Sequence, residues 1–155
     1  MRKLRYLMLT ALVVMLAQTT SVRAEGITVP KMYMFGFAAS FNDSIVHFTG
    51  IQQLDSVWVD KKTKLLLGRE NYSYQLRDYM TDKLQMPYRT CVVFYNQDLQ
   101  KLEKEFLKMR RIYTTGQKKV KKKDKNPTRT NNEIHDITAS DFKFKIVDMS
   151  GPTNE

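Results

Sequence analysis

Residues 31–41 read KMYMFGFAASF and are apolar at both alternating sets of positions. Because successive side chains of a strand point to opposite faces, one face carries aromatic rings and the other carries methionine, glycine and alanine. A strand that is apolar on both faces is typical of a sheet interior, where it is covered on both sides or packed at close range. We therefore expect this segment to be an interior strand around which the fold is arranged.

A hairpin is expected to follow this strand. Asn42 and Asp43 tolerate the positive φ of tight turns, and residues 44–51 (SIVHFTGI) have the composition of a returning strand. Gly50 predicts a bulge in that strand, because glycine weakens regular pairing and allows a kink. The extended pattern resumes at residues 56–59.

Two amphipathic helices are expected on either side of a compact strand. The first begins near Asn71 or Ser73, either of which can cap it, and ends before Pro87. Residues 89–95 (RTCVVFY) are rich in β-formers and are expected to be a central strand. Residues 97–113 carry apolar side chains alternately three and four positions apart, which predicts a second helix with one apolar stripe.

The C-terminal part is expected to be a basic disordered loop followed by an edge strand. Residues 114–139 have no periodic pattern, and a loop of this length in a compact domain is usually functional or disordered. Residues 140–149 (SDFKFKIVDM) alternate, with Phe142, Phe144 and Ile146 inward and lysines outward, as in an edge strand.

Together these elements predict a single α+β domain over residues 25–155. The order of strands and helices is ββαβαβ, and the short joints around residues 89–95 favour neighbouring elements. We expect a small two-layer sandwich, in which a mixed sheet of four or five strands carries both helices on one face.

Residues 1–24 are expected to be a cleavable secretory signal peptide. A basic start precedes the apolar residues 6–17, and Val22-Arg23-Ala24 has the small-residue signature of a cleavage site after Ala24. The alternative is a membrane anchor, but the uncharged run of 17 residues is shorter than the roughly 20 that span a bilayer. We expect an exported protein, periplasmic or secreted, with no transmembrane anchor in the mature chain.

Basic charge is concentrated in one segment. The chain has 26 Lys+Arg and 16 Asp+Glu, formally +10, and four of the basic residues lie in the signal segment. Residues 116–130 (GQKKVKKKDKNPTRT) hold seven basic residues and one acidic residue, so the rest of the mature chain is balanced. The candidate anion-binding residues are Lys118, Lys119, Lys121, Lys122, Lys123, Lys125 and Arg129.

This lysine-rich segment has two interpretations. Counterion release would let it bind anionic polymers or lipid headgroups, with an affinity that falls steeply in salt. It contains no aromatic residue for stacking on single strands, and the chain has no nucleic-acid-binding motif, so no specific nucleic acid is expected. A charged run is also typical of a solvated, disordered loop without a dedicated partner.

No catalytic, cofactor-binding or metal-binding residue is predicted. The glycines lie far apart, which excludes a phosphate-cradling loop, and a single cysteine excludes a disulfide framework and a multi-cysteine zinc site. Cys91 is expected to be a buried, unreactive thiol, and His135-Asp136 a solvated loop pair. A small periplasmic hydrolase would require at least two side chains of one set to converge in a pocket. That set is Asp43, Asp55, Asp60, His47, His135 and Tyr72.

Three segments resemble small exported proteins of unknown function from Bacteroidota-type bacteria. They are residues 34–49 (MFGFAASFNDSIVHFT), residues 71–79 (NYSYQLRDY) and Arg89-Thr90-Cys91-Val92. The resemblance covers about residues 30–112 and rests on structural and turn residues. It implies a bacterial envelope setting and no activity, and it assigns no functional residue.

The sequence thus leads to three hypotheses. The first is an exported, non-enzymatic accessory or binding protein of the envelope, whose partner is an unknown envelope protein. The second is a binder of anionic polymers or membrane surfaces that acts through residues 118–125. The third is the small hydrolase, and the three are ranked in this order.

Overall fold

The computed structural model describes residues 26–115 and 132–150 of the chain. It confirms the α+β class, with one mixed sheet of five strands and two helices. The strands are β1 (Gly26–Ala39), β2 (Ile45–Thr49), β3 (Gln52–Asp60), β4 (Thr90–Asn96) and β5 (Glu133–Ile137). The helices are α1 (Arg69–Asp82) and α2 (Leu99–Thr115). The expected signal peptide and the lysine-rich segment lie outside the described residues.

Strand β1 is the centre of the sheet, as its two apolar faces predict. One of its edges pairs antiparallel with β4, and the other pairs antiparallel with β3 and then with β2. Strand β5 pairs in parallel with the far edge of β2. The sheet therefore ends in β4 on one side, whereas on the other side its outer strands are β3 and, beyond β2, β5.

The predicted bulge at Gly50 is confirmed by the register of the hairpin. Between matched pairs, β1 contributes residues 35–36, whereas the opposite strand contributes residues 49–51. The N–H of Gly36 donates to Thr49 Oγ1 at 2.8 Å, so this buried donor keeps a partner where the regular ladder is interrupted.

The two helices lie on opposite faces of the sheet, so the expectation of both helices on one face is wrong. Helix α1 buries Tyr72, Leu76 and Met80, and α2 buries Leu102. The cause is the apolar character of both faces of β1, because each face needs its own cover.

Each face has its own hydrophobic core. The α1-side core contains Met32, Met34, Ala38, Leu54, Val57, Val59, Leu66, Tyr72, Leu76, Met80, Val93, Ile137, Phe142 and Phe144. The α2-side core contains Phe35, Phe37, Val46, Phe48 and Leu102, with Phe106 and Tyr113 packed against it. Alternate residues of β1 thus enter different cores.

The predicted edge strand at residues 140–149 is not formed, because residues 140–141 lie in a turn and residues 142–149 pair with no strand of the described chain. Phe142 and Phe144 are buried in the α1-side core, as expected from the alternation. Ile146 is 52% exposed, so its predicted inward orientation is wrong. The alternation correctly predicted that one side of this segment is apolar. It did not predict which groups form hydrogen bonds with its backbone.

Side chains take the place of a neighbouring strand along this C-terminal segment (residues 142–147). The amide of Gln52 donates to the carbonyl of Phe142 at 2.9 Å and accepts from the N–H of Phe144 at 3.0 Å. The amide of Gln75 makes the same pair of bonds with Lys145, at 2.9 and 2.7 Å. Two glutamines therefore satisfy backbone groups that a sheet would otherwise satisfy.

Strand β5 is the element that the sequence pattern missed. It lies inside the stretch at residues 114–139 that was predicted to be a disordered loop, and α2 also extends into that stretch. Its sequence EIHDI mixes charged and apolar residues without a clean alternation, so it gave no strand signal. The start of α1 also differs, since Gly68 is its N-cap with φ 65° and neither Asn71 nor Ser73 caps it.

Candidate functional site

The edge of strand β4 is the first candidate site. This strand was expected to be central, but among the described strands it pairs only with β1 and so ends the sheet. The prediction is wrong because β2 and β3 together fill the opposite edge of β1. A strand at the end of a sheet has one row of backbone groups available for another chain.

The direction of the backbone groups in β1 identifies that row. The N–H of Gly36 points towards Thr49 of β2, so the β1 residues on the α1 side bond away from β4. The residues of β4 on the same face therefore direct their N–H and C=O groups outward: Cys91, Val93 and Tyr95. Within residues 26–115 and 132–150, no backbone hydrogen bond reaches these groups from outside the β1–β4 ladder.

The composition of β4 leaves this edge unguarded. The strand reads TCVVFYN and contains no charged residue and no proline. Val92 is 39% exposed, so this edge strand presents an apolar side chain to solvent. Soluble proteins usually place lysine, proline or a bulge at such an edge to prevent association. The edge of β4 has the properties of a surface for β-strand addition.

An open groove of about 600 Å³ lies where β4 ends and α2 begins. Its lining residues are Val29, Met32, Lys64, Tyr95, Asn96, Gln97, Asp98 and Lys101. Asp98 holds the start of α2, since its Oδ1 accepts from the N–H of Lys101 at 3.2 Å. Three of the lining residues are apolar or aromatic and five are polar or charged, so the apolar part of the groove suits one side chain that enters from the edge of β4.

Two histidines meet at the other end of the sheet. His135 lies in β5 and not in a loop, and it is the register partner of His47 in β2. The two ring centroids are 5.3 Å apart. Nε2 of His135 is 2.7 Å from Glu133 Oε1, whereas Nδ1 of His47 is buried without a hydrogen-bond partner. Burial, together with the nearby charge of Arg89, lowers the pKa of His47 from its ordinary value of 6.5 to about 4.

Arg89 is the buried cation beside this pair, with a side chain that is 2% exposed. Its Nη2 lies 2.8 Å from Asp43 Oδ2, and its Nη1 donates to the carbonyl of Ile45 at 2.7 Å. The guanidinium therefore connects the start of β4 to the turn between β1 and β2. A fixed cation next to His47 disfavours a metal ion there, and the described residues contain no group of three or more potential metal ligands.

The remaining side chains proposed for a hydrolase lie elsewhere. Asp55 is exposed on β3, and Asp60 accepts from the N–H groups of Lys62 and Thr63, which lowers the pKa of its carboxyl group. Tyr72 is fully buried, and its hydroxyl accepts from a backbone N–H. Of the proposed set, only His47 lies near two other members, His135 and Asp43. This group lies beside the buried Arg89 and away from the groove.

Cys91 is partly buried in β4, and desolvation raises its pKa to about 11. Its thiol is therefore protonated at neutral pH and a poor nucleophile. The candidate anion-binding residues Lys118, Lys119, Lys121, Lys122, Lys123, Lys125 and Arg129 lie outside the described residues.

No protein-family model, curated protein or solved structure matches the chain. Within the described part of the chain, no helix has the length and apolar character needed to cross a membrane.

The sequence did not reveal the groove or the free edge. A strand rich in β-formers can have the same composition inside a sheet and at its edge. The composition of residues 89–95 therefore did not show which of these positions the strand takes. The one signal in the sequence was an aromatic residue beside turn residues just before the strand, and the structure shows that its side chain is exposed. Tyr88 is 88% exposed and adopts a left-handed backbone conformation.

Proposed function

We propose that the chain is an exported, non-enzymatic binding protein of the bacterial cell envelope that takes up an extended polypeptide segment at the edge of β4. The observation that carries this proposal is the unguarded edge, where the backbone groups of Cys91, Val93 and Tyr95 point outward. A strand added there would satisfy these groups through main-chain hydrogen bonds. Export is supported by the pattern of residues 1–24.

The groove beside Tyr95 adds a means of selection. Main-chain hydrogen bonds to an edge are nearly independent of sequence, so β-strand addition needs side-chain pockets to discriminate between partners. A segment that runs past Tyr95 brings one side chain over the groove lined by Met32 and Val29. We infer a preference for an aromatic or aliphatic residue at that position.

The two alternative functions, a hydrolase and a binder of anionic polymers, require different sites. A hydrolase needs reacting groups at an open cavity, whereas His47 and His135 meet beside the buried guanidinium of Arg89. A binder of anionic polymers would act through the lysines at residues 118–125 and would not depend on β4. One experiment can therefore separate edge binding from charge binding.

The test is a capture experiment from envelope extract with residues 25–155 as bait. Val92→Lys places a charge on the edge at an exposed position, so it blocks strand addition without disturbing a core. Leu107→Lys is the matched control, because it makes the same kind of change at a 60% exposed position on α2. A third bait lacks residues 118–125.

We expect the wild type, Leu107→Lys and the lysine deletion to capture the same polypeptide, and Val92→Lys to lose it. Equal capture by Val92→Lys and Leu107→Lys would show that the edge of β4 is not the site. Capture only by baits that keep residues 118–125, with elution that depends steeply on salt, would favour the anionic-polymer alternative.

A further inference from the structure

We propose that the polypeptide taken up at β4 is a second copy of this chain, which pairs antiparallel through a two-fold axis at Val93. The inference rests on the proposed function, since it names the partner of the same edge. It would join two five-stranded sheets, each ending in β4, into one continuous sheet.

The backbone of β4 is suited to this pairing. An isologous antiparallel pair can have its axis at a residue that directs its N–H and C=O outward, and Val93 is the middle one of the three such residues of β4. In this register Cys91 of each copy faces Tyr95 of the other, and all of these residues are outward-bonding. Three such pairs, each exchanging two hydrogen bonds, give about six main-chain hydrogen bonds across the axis.

The side chains agree with the same register. Val92 of one copy faces Phe94 of the other on the α2 side, and cross-strand pairs of aromatic and β-branched residues stabilise sheets. Val92 is 39% exposed in the single chain, and the pairing would cover it. Because β4 has no charge, the approach brings no like charges face to face.

Tyr88 gives the most specific complementarity. It lies two residues before β4, it is 88% exposed, and its backbone is held at φ 66°. The register centred on Val93 brings the residues just before β4 of one copy near those just after β4 of the other, where Asp98 lines the groove. A protruding aromatic side chain in each copy would therefore reach the open groove of its partner, and each copy would contribute one ring and one groove.

The charge of the domain permits this approach. Outside residues 1–24 and 116–130, acidic and basic residues are equal in number, so the net charge of +6 of each mature chain comes from residues 116–130 and not from the folded domain. The exposed pair of Arg77 and Asp78 on α1, with Nη2 and Oδ1 3.3 Å apart, lies close enough to Cys91 to affect its thiol. This flank of the edge of β4 therefore carries one positive and one negative side chain. Two copies related by a two-fold axis can place these opposite charges against each other.

The first test is the mass of the mature chain (residues 25–155) in solution, measured by sedimentation over a range of concentrations. We expect a dimer for the wild type and for Leu107→Lys. Val92→Lys and Tyr88→Ala should each raise the dimer dissociation constant about tenfold or more, because one places charge on the edge and the other empties the groove. Circular dichroism of each variant verifies that its fold is retained.

The second test is oxidative cross-linking. Two residues that face each other in a hydrogen-bonded antiparallel pair have Cα atoms about 5.5 Å apart, within the range of a disulfide. In a Cys91→Ser background, Val93→Cys should therefore form a covalent dimer, because Val93 faces itself across the axis. Val92→Cys in the same background is the control, because it faces Phe94 and should cross-link much less.

The outcomes separate this inference from the proposed function. A monomeric wild type whose capture of another protein is lost in Val92→Lys overturns the second copy and leaves edge binding in place. A monomeric wild type whose capture is insensitive to Val92→Lys overturns both proposals. A dimer that is unaffected by Val92→Lys and Tyr88→Ala, or that cross-links equally at residues 92 and 93, overturns the proposed register.

Discussion

Strands β4 and β5 end the same sheet on opposite sides, but they present different edges. Strand β5 reads EIHDI, and the side chains of Glu133, His135 and Asp136 are exposed. Strand β4 reads TCVVFYN and has no charge. Charged residues discourage a further strand, so one edge is protected and the other is open. The contrast shows that charged side chains protect the edge of β5, whereas the edge of β4 has none.

The two end strands are also held in place by different ion pairs. Arg89 holds the start of β4 to the turn between β1 and β2 from a buried position, where its side chain is 2% exposed. On the other side, Arg110 of α2 makes a two-point ion pair with Asp136 of β5, whose side chains are 29% and 58% exposed. The open edge therefore lies next to a rigid anchor, and the guarded edge next to a solvent-accessible one. Changes at the two anchors should differ in size.

The largest effect is expected for Arg89→Met. Removing the guanidinium leaves the carbonyl of Ile45 and the carboxylate of Asp43 without their partner, and we expect a loss of about 3 kcal/mol in the free energy of unfolding. Urea denaturation measures it. Arg77→Met is the control, because its ion pair with Asp78 is exposed and should contribute less than about 0.5 kcal/mol. Similar losses for both variants would contradict a buried anchor at β4.

The next effect in size is expected from acid at the junction of β2 and β5. His47 has a folded-state pKa of about 4 against an ordinary value of 6.5, so between these values the unfolded chain binds more protons than the folded one. Stability contributed by neutral His47 is therefore present above pH 6.5 and is lost as the pH falls towards 4. We expect a loss of up to about 3 kcal/mol over this window.

The measurement is the free energy of unfolding in urea at pH 7, 5.5 and 4. His47→Gln should lose less stability than the wild type between pH 6.5 and pH 4, because it has no imidazole to protonate. His135→Gln is the control at the exposed partner of the pair and should keep most of the wild-type dependence. If wild type and His47→Gln follow the same profile, His47 is not the group that titrates.

The smallest effect is expected for Asp136→Asn. The ion pair with Arg110 is partly solvated, so its loss should cost about 0.5–1 kcal/mol. The same urea experiment in low and high salt measures it, and the difference from wild type should shrink in high salt. Glu103→Gln on the exposed side of α2 is the control and should change little. A loss as large as that of Arg89→Met would remove the difference between the two ends.

Much of the fold followed from local patterns. The alternation in residues 31–41 predicted the central strand, and Gly50 predicted the bulge, because both signals depend on short-range geometry. The same alternation implied cover on both faces, yet the helices were expected on one face only. Which face a helix covers depends on the path of its connections, and the spacing of its own apolar residues carries no such information.

The candidate site depended on long-range pairing and was therefore missed. Strand β5 has a weak pattern of its own and exists because β2 offers it a partner. Its position brings His135 to His47, 88 positions away in the sequence. Likewise, β4 is an edge only because β2 and β3 occupy the other side of β1. Composition gives the preference for a strand, and the neighbours decide whether its edge is free.

The glutamine contacts of residues 142–147 have a consequence for when the chain can finish folding. Gln52 bonds Phe142 across 90 positions, and Gln75 bonds Lys145 across 70. Residues 142–147 follow β1, α1 and β4 along the chain, and Phe142 and Phe144 pack in the same core as side chains of those elements. The α1-side core is therefore complete only when residues 142–147 have docked, and a chain that stops before residue 142 would leave that core uncovered.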